Sequence, residues 1–193
     1  EAYLAYDFGQ IGWEGAKLKV GRQVVNYDFA PSYNIRQKDQ AFEAAILKLE
    51  PIEGLRIDLG HLERFSSWAS REARGSASWQ ADFVDVEDRA GNPGASNGFQ
   101  FISAVYDDFE PMSFTLYDFY GNDLFNTFGV KASYRWDRGE DAGALTFRTH
   151  YAHQNDVGSW DTGLRDSIDS DILELGVDWA RGGLTLSGGA VLV

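Results

Sequence analysis

Charged residues recur at even spacing along this chain. Lys17 and Lys19 are two apart, as are Arg56 and Asp58, and Arg148 and His150; Lys131 and Arg135 are four apart, as are Glu174 and Asp178. Successive side chains of a strand point to opposite sides, so even spacing puts each pair on one side. Apolar residues fill most positions between them, Leu18, Ile57, Ala132, Tyr134, Leu175 and Val177, and Phe147 stands directly before Arg148. With Glu43, which one of two registers turns the same way, the charged set becomes a continuous wall. Its chemistry is electrostatic rather than covalent. Fixed cations lower the barrier for an anionic solute, and flanking carboxylates set a transverse field. The plainer alternative is that these charges pair with one another across neighbouring strands. For one residue alone that alternative is the ordinary case; for the whole set, a conducting wall explains more than a solvated sheet face. Acidic residues nearly balance basic ones on this wall, which weakens any preference for anions.

Covalent or metal chemistry has little to work with. His150 and His153 fall on opposite faces of one strand and cannot chelate one metal together. His61 stands alone near a loop end. His153 with Ser159 is the one pairing that resembles a lipid-facing serine–histidine site, and there is no Gly-x-Ser-x-Gly or phosphate-cradling loop. Asp82, Asp85, Glu87 and Asp88 with Asn92 could hold calcium in a loop, although solvated charge is the simpler reading. The expectation is a protein that is not an enzyme, with no catalytic residue, no metal and no cofactor.

The elements that must position the wall are strands. Ala41 to Gly60 reads as a hairpin. Leu55, Ile57 and Leu59 alternate with Arg56 and Asp58, and PIEG supplies a proline without a donor and a glycine free to take positive φ. Its first strand has two registers, Phe42, Ala44 and Ile46 against Ala45, Leu47 and Leu49. The first set is expected outward, which turns Glu43 inward. Further strands are expected at Glu1 to Phe8, Ala16 to about Val24, Phe99 to Tyr106 and Phe114 to Tyr120. Others follow from about Thr127 to Trp136, Ala144 to His153, around Leu173 to Trp179, and Leu184 to Val193. Polar connections occupy Val25 to Gln40, Ser66 to about Gly98 (with a possible short strand at Trp79 to Val86) and Gln154 to about Ser170. Long and short connections alternate, so the long ones collect at one end of an up-and-down meander. That sorting is the mark of a transmembrane β-barrel.

Composition agrees. The net charge of −13 makes nucleic acid an improbable partner, and the absence of cysteine rules out a disulfide scaffold or a cysteine-held zinc. No apolar run approaches the ~20 residues of a transmembrane helix. A mean hydropathy of −0.35 suits a barrel, in which only alternate residues meet lipid. Trp13, Trp136, Trp179, Tyr6, Phe8 and Phe109 lie at the short-turn ends, and Phe65, Tyr120, Phe125 and Tyr151 at the long-loop ends, as two interfacial girdles require. A soluble all-β domain that binds glycans through exposed aromatics shares the strands and turns. It does not explain apolar faces that stay apolar while the opposite faces stay charged.

The motifs KLKVGRQ (Lys17 to Gln23), FEAAILKLEPIEGLRIDLGHLERF, WASR (Trp68 to Arg71), MSFTLYDFYGNDLFNTFGVKASYRW and LELGVDWARGGLTLSGGAV follow in order. In that order and spacing the chain resembles the OprD-type substrate-specific porins of Gram-negative outer membranes. The resemblance implies an antiparallel barrel of about eighteen strands, of which about ten are present here. It also implies a basic ladder on one lumen wall and a constriction built by inward-folded extracellular loops. The function it implies is passive uptake of small carboxylate-bearing solutes, organic acids or amino acids. The implied surroundings are outer-membrane lipid and lipopolysaccharide, with the protein a monomer or weak homotrimer. The match covers the middle of such a porin. With short turns periplasmic, both chain ends fall on the extracellular side, so residues 1–193 are expected to be a single barrel domain with strands missing at both ends.

Overall fold

The computed structural model describes residues 1–27, 30, 41–66, 83–85, 98–122, 124–157 and 168–193. The strands are β1 (Ala2–Asp7), β2 (Ala16–Gln23), β3 (Phe42–Ile52), β4 (Leu55–Ser66), β5 (Phe83–Asp85), β6 (Phe99–Phe109), β7 (Met112–Gly121), β8 (Phe125–Asp137), β9 (Ala144–Asp156), β10 (Asp169–Arg181) and β11 (Leu184–Leu192). A single 3₁₀ turn, Phe8–Ile11, follows β1. Among the described residues all pairings are antiparallel, and the long strands lie in sequence order; β5 pairs with β4. This is the expected up-and-down, all-β meander. The path runs from β1 to β11 without joining them, so the sheet is open along both edges.

Short turns hold one end. Gly54 closes the β3–β4 hairpin at φ 73°, where a Cβ would fall 2.0 Å from Cβ of Asp108. Only glycine fits that approach. The strand ends that lead into the long connections, Gln23, Ser66 and Asp156 among them, lie at the other end.

The pleat separates two surfaces. On the outer one, hydrogen-bonded register carries an apolar row across the sheet: Leu49, Ile57, Ala104, Leu116, Val130, Tyr151, Leu173 and Leu192. Leu116 is 49% exposed and Phe147 45%. A continuous exposed apolar face of this kind is unstable in water and at rest in hydrocarbon. Tyr6, Trp136 and Trp179 border it at the short-turn end and Tyr120 at the other, while Tyr151 stands within the apolar row itself. Trp179 donates its indole N–H to the Ala142 carbonyl at 2.9 Å.

The aromatic assignment needs two corrections. Phe65 and Phe125 do not face outward. Phe65 packs on Phe42, and Phe125 on Phe99 and Phe119, against the inner surface. They belong to a compact cluster of Val25, Ala30, Phe42, Ala44, Ile46, Leu62, Phe99, Phe101, Phe119 and Leu124 at the long-loop end. Val25 and Ala30 follow β2 in the chain, and with Tyr27 they form a returning segment, residues 25–27 and 30, that packs on the inside of β3, β4 and β6.

That packing decides the β3 register. Phe42, Ala44 and Ile46 are buried inward, and Ala45, Leu47 and Leu49 face out, the reverse of the expectation. An apolar inner patch is stable here because the returning segment covers it, removing its surface from water.

Candidate functional site

The inner surface carries the charges. One register row reads Arg56, Val105, Thr115, Lys131, His150, Glu174, Val191. A second reads Asp7, Lys17, Lys48, Asp58, Ser103, Tyr117, Gly129, Ala152. Arg148 stands between Ser133 and Gly176, while Arg135, Thr146, Asp178 and Ser187 form a row nearer the short turns. Lys19 lies opposite Ile46 and holds its ammonium 3.8 Å above the Tyr3 ring. Of the residues selected from sequence, Lys17, Lys19, Arg56, Asp58, Lys131, Arg135, Arg148, His150, Glu174 and Asp178 thus share one face.

Glu43 does not. It lies on the outer face beside Arg22, whose guanidinium donates to it at 2.9 Å, with Arg64 at 3.9 Å. The β3 register puts it there, since Phe42 and Ala44 on either side turn inward. The inward cation of this strand is Lys48, 3.6 Å from Asp58. The Ala45, Leu47, Leu49 register would have exposed Lys48 as part of the wall.

Cations on this face are matched to carboxylates one strand away. Lys17 is 3.9 Å from Asp7, Lys19 3.6 Å from Glu1, and Arg56 2.9 Å from Asp107. Arg148 contacts Asp178 through two nitrogens, at 2.7 and 2.9 Å. The side chains remain substantially open to solvent; Arg148 keeps 55% of its side-chain surface. Solvent screens exposed pairs of this sort and leaves them weak, so a passing carboxylate can exchange into them.

Two hollows open on this face. One, of about 640 Å³, is lined from β7 to β11 by groups including Ser113, Lys131, Ser133, Arg148, His150, Glu174 and Ser187. Five consecutive strands can line one cavity only if the sheet curves around it. The second, of about 620 Å³, lies beneath the returning segment, between Tyr27, Lys48, Arg56, Asp58, Ser103 and Lys131. Thr115 and Lys131 border both, so the two are neighbours on this face.

The returning segment is fastened by Tyr27, which sequence reasoning left inside a polar connection. Its hydroxyl donates to Asp58 at 2.7 Å, and its ring lies 4.6 Å from that of Phe101. Burial first, then the adjacent carboxylate, holds this phenol above the ordinary tyrosine range. Aromatics within a polar connection are the signal that could have marked it.

The histidines separate as expected by face, but His61 is not isolated. It contacts Glu63 at 2.8 Å and Gln100 at 3.2 Å on the outer side. His153 also faces out and contacts Asp171 at 3.1 Å, while Ser159 lies outside the described residues. So do the WASR stretch and, apart from the backbone of Asp85, the Asp82 to Asn92 cluster. Among the described residues no group of histidine, aspartate and glutamate is placed to hold a metal ion.

The model of an outer-membrane porin family, OprD, matches residues 12–190. The chain belongs to the OprD family. Members of this porin family are channels of the Gram-negative outer membrane rather than enzymes, which places the chain in that membrane and sets aside a soluble glycan-binding domain. No curated protein matches the sequence significantly. Solved porins share its fold at low identity. Pseudomonas aeruginosa OccK2 (OpdF), solved in complex with glucuronate, is 19% identical with a TM-score of 0.74, covering 92% of this chain and 44% of its own. Pseudomonas aeruginosa OpdK, solved with vanillate, is 18% identical at TM-score 0.74, with the same coverage of 92% and 44%. A BenF-like porin of Pseudomonas fluorescens is 15% identical at 0.74, covering 92% and 43%. The chain therefore spans somewhat under half the length of these porins. An open sheet is what that share of an OprD barrel supplies.

Proposed function

We propose that residues 1–193 form one continuous wall of an OprD-family barrel whose water-filled lumen admits small solutes bearing a carboxylate. The observation that carries this is the inner face itself, where Arg56, Lys131 and Arg148 border adjacent hollows and Arg56 and Arg148 hold solvent-exposed carboxylate partners. A solute carboxylate replaces the wall carboxylate at one cation and then the next, each stop shallow enough to leave. The returning segment, clasped at Tyr27, narrows this passage from the long-loop side. Bound glucuronate and vanillate in two relatives, both anions of organic acids, support the same solute class for this chain.

Arg148 provides the test. In the intact porin, Arg148→Ala removes a cation and leaves Asp178 on the wall, a change of one unit toward negative. Uptake of a carboxylate solute is expected to fall more than uptake of a neutral solute of equal size, read by liposome swelling at low ionic strength, where screening is least. Arg148→Ala combined with Asp178→Ala restores the balance and should recover part of the loss. Equal losses for both solutes would show that Arg148 shapes the pore without selecting charge. No loss for either would put it off the conduction path.

A further inference from the structure

Uptake through the lumen leaves unused a pair of arginines on the outer face at the short-turn end. Arg138 holds its guanidinium 5.8 Å from the centroid of the outward Trp136 ring. Its Nη2 donates to the Ala142 carbonyl at 2.9 Å, the oxygen that also accepts the Trp179 indole N–H at 2.9 Å. One carbonyl and one ring thus fix the place of this cation. Arg181 ends β10 two residues after Trp179 and so points to the same side. Gly143 lies between the two arginines. Its carbonyl accepts the Arg138 N–H at 3.1 Å, and a Cβ on it would fall 2.9 Å from Cβ of Arg181. The arginines therefore stand two strand spacings apart, about 10 Å, with no side chain at Gly143 to separate them.

Their electrostatic setting differs from that of the other arginines. Arg22, Arg56 and Arg148 each hold a carboxylate at 2.9 Å or less. Among the described residues neither Arg138 nor Arg181 has one within 4.0 Å. In the same turn Asp137 accepts the Gly139 N–H at 2.8 Å, and Glu140 and Asp141 sit at the tip. Toward the middle of the sheet the surface becomes apolar at once. Register places Leu145 between Trp136 and Trp179, and Phe147 between Tyr134 and Val177. Trp136 is 50% exposed and Phe147 45%, so this track is open along its length.

We propose that Arg138 and Arg181 clamp the phosphodiester of a glycerophospholipid in the periplasmic leaflet, with its acyl chains laid along Leu145 and Phe147. Short turns mark the periplasmic side of such barrels, and indoles mark the level where hydrocarbon gives way to headgroups. One step beyond the indoles is the level of the lipid phosphate. Guanidinium presents a planar fork of donors that matches phosphate oxygens, and two of them can hold one phosphate from both sides. The anchoring of Arg138 means that little freedom is lost on binding. Inorganic phosphate would meet the same forks but would leave the apolar track without a partner. The inference rests on the outer face meeting lipid and is independent of the solute that the lumen admits.

Native mass spectrometry of the intact porin in detergent, titrated with dioleoylphosphatidylglycerol, tests it. The wild type is expected to retain this lipid, and dioleoylglycerol, with the same chains and no phosphate, to bind far more weakly. Arg138→Gln and Arg181→Gln should each raise the apparent Kd about fivefold, and the double variant roughly twenty-fivefold. Both sites lie at exposed turns, and an unchanged folded band on SDS gels before heating shows that the barrel is intact. A double variant that binds as the wild type does overturns the inference. So does dioleoylglycerol binding as tightly as the phospholipid, which would reduce the site to an apolar strip. Inorganic phosphate at a concentration matched to the lipid should not displace it. Displacement at that concentration would make the clamp a site for free phosphate and would also overturn the assignment to lipid.

Discussion

Removing one oxygen atom from Tyr27 should change the behaviour of the channel. In Tyr27→Phe the ring stays against Phe101, and the bond to Asp58, 2.7 Å long, is lost. A hydrogen bond to a charged acceptor contributes about 1.5–3 kcal/mol. Asp58 keeps Lys48 at 3.6 Å and is not left bare, which argues for the lower end. A loss of about 1.5 kcal/mol multiplies the undocked fraction of the returning segment roughly tenfold. In single-channel recordings the variant should dwell about ten times longer, relative to the resting level, in a higher-conductance level. Tyr27→Ala gives up the ring as well, a truncation of about 3–5 kcal/mol, and should hold the wider level most of the time. Asp58→Asn should lie close to Tyr27→Phe. If both tyrosine variants keep wild-type conductance and dwell times, the segment does not narrow the passage, and its packing on the inner face is structural only.

Two further outcomes test the assignment of faces. Thr115 and Leu116 are neighbours on β7 with opposite faces, so Leu116→Arg should cost about 2–4 kcal/mol at mid-depth in lipid and lower the temperature at which the folded band is lost on SDS gels. Thr115→Arg should leave that temperature nearly unchanged and raise anion permeability; similar melting for the two would contradict the placement. Glu43→Gln should leave ion selectivity where it was, since the side chain pairs with Arg22 on the outer surface. A selectivity shift as large as that of Arg148→Ala would return Glu43 to the lumen.

The sequence by itself determined the strands, their antiparallel order and nearly all of the charged face. Period two ties Lys131 to Arg135 and Arg148 to His150 with no further information, since a strand cannot turn one of such a pair without the other. Sorting of connection length by end did the same for topology. Each property is local or counts along the chain, so it survives in one dimension. Only the tertiary structure decided what period two leaves open, namely which of two apolar sets on β3 faces inward. Phe42, Ala44 and Ile46 are as hydrophobic as Ala45, Leu47 and Leu49, and neither set says what will cover it. The cover is Val25 and Ala30, distant in sequence and set in a stretch that reads as polar. Once they pack, the lipid-facing set of β3 is fixed, Glu43 goes out and Lys48 comes in. The pairing of Arg148 with Asp178 and the standing of Arg138 and Arg181 on either side of Gly143 are likewise matters of cross-strand register. Register depends on which residues lie opposite one another, and this chain shows that only when it is folded.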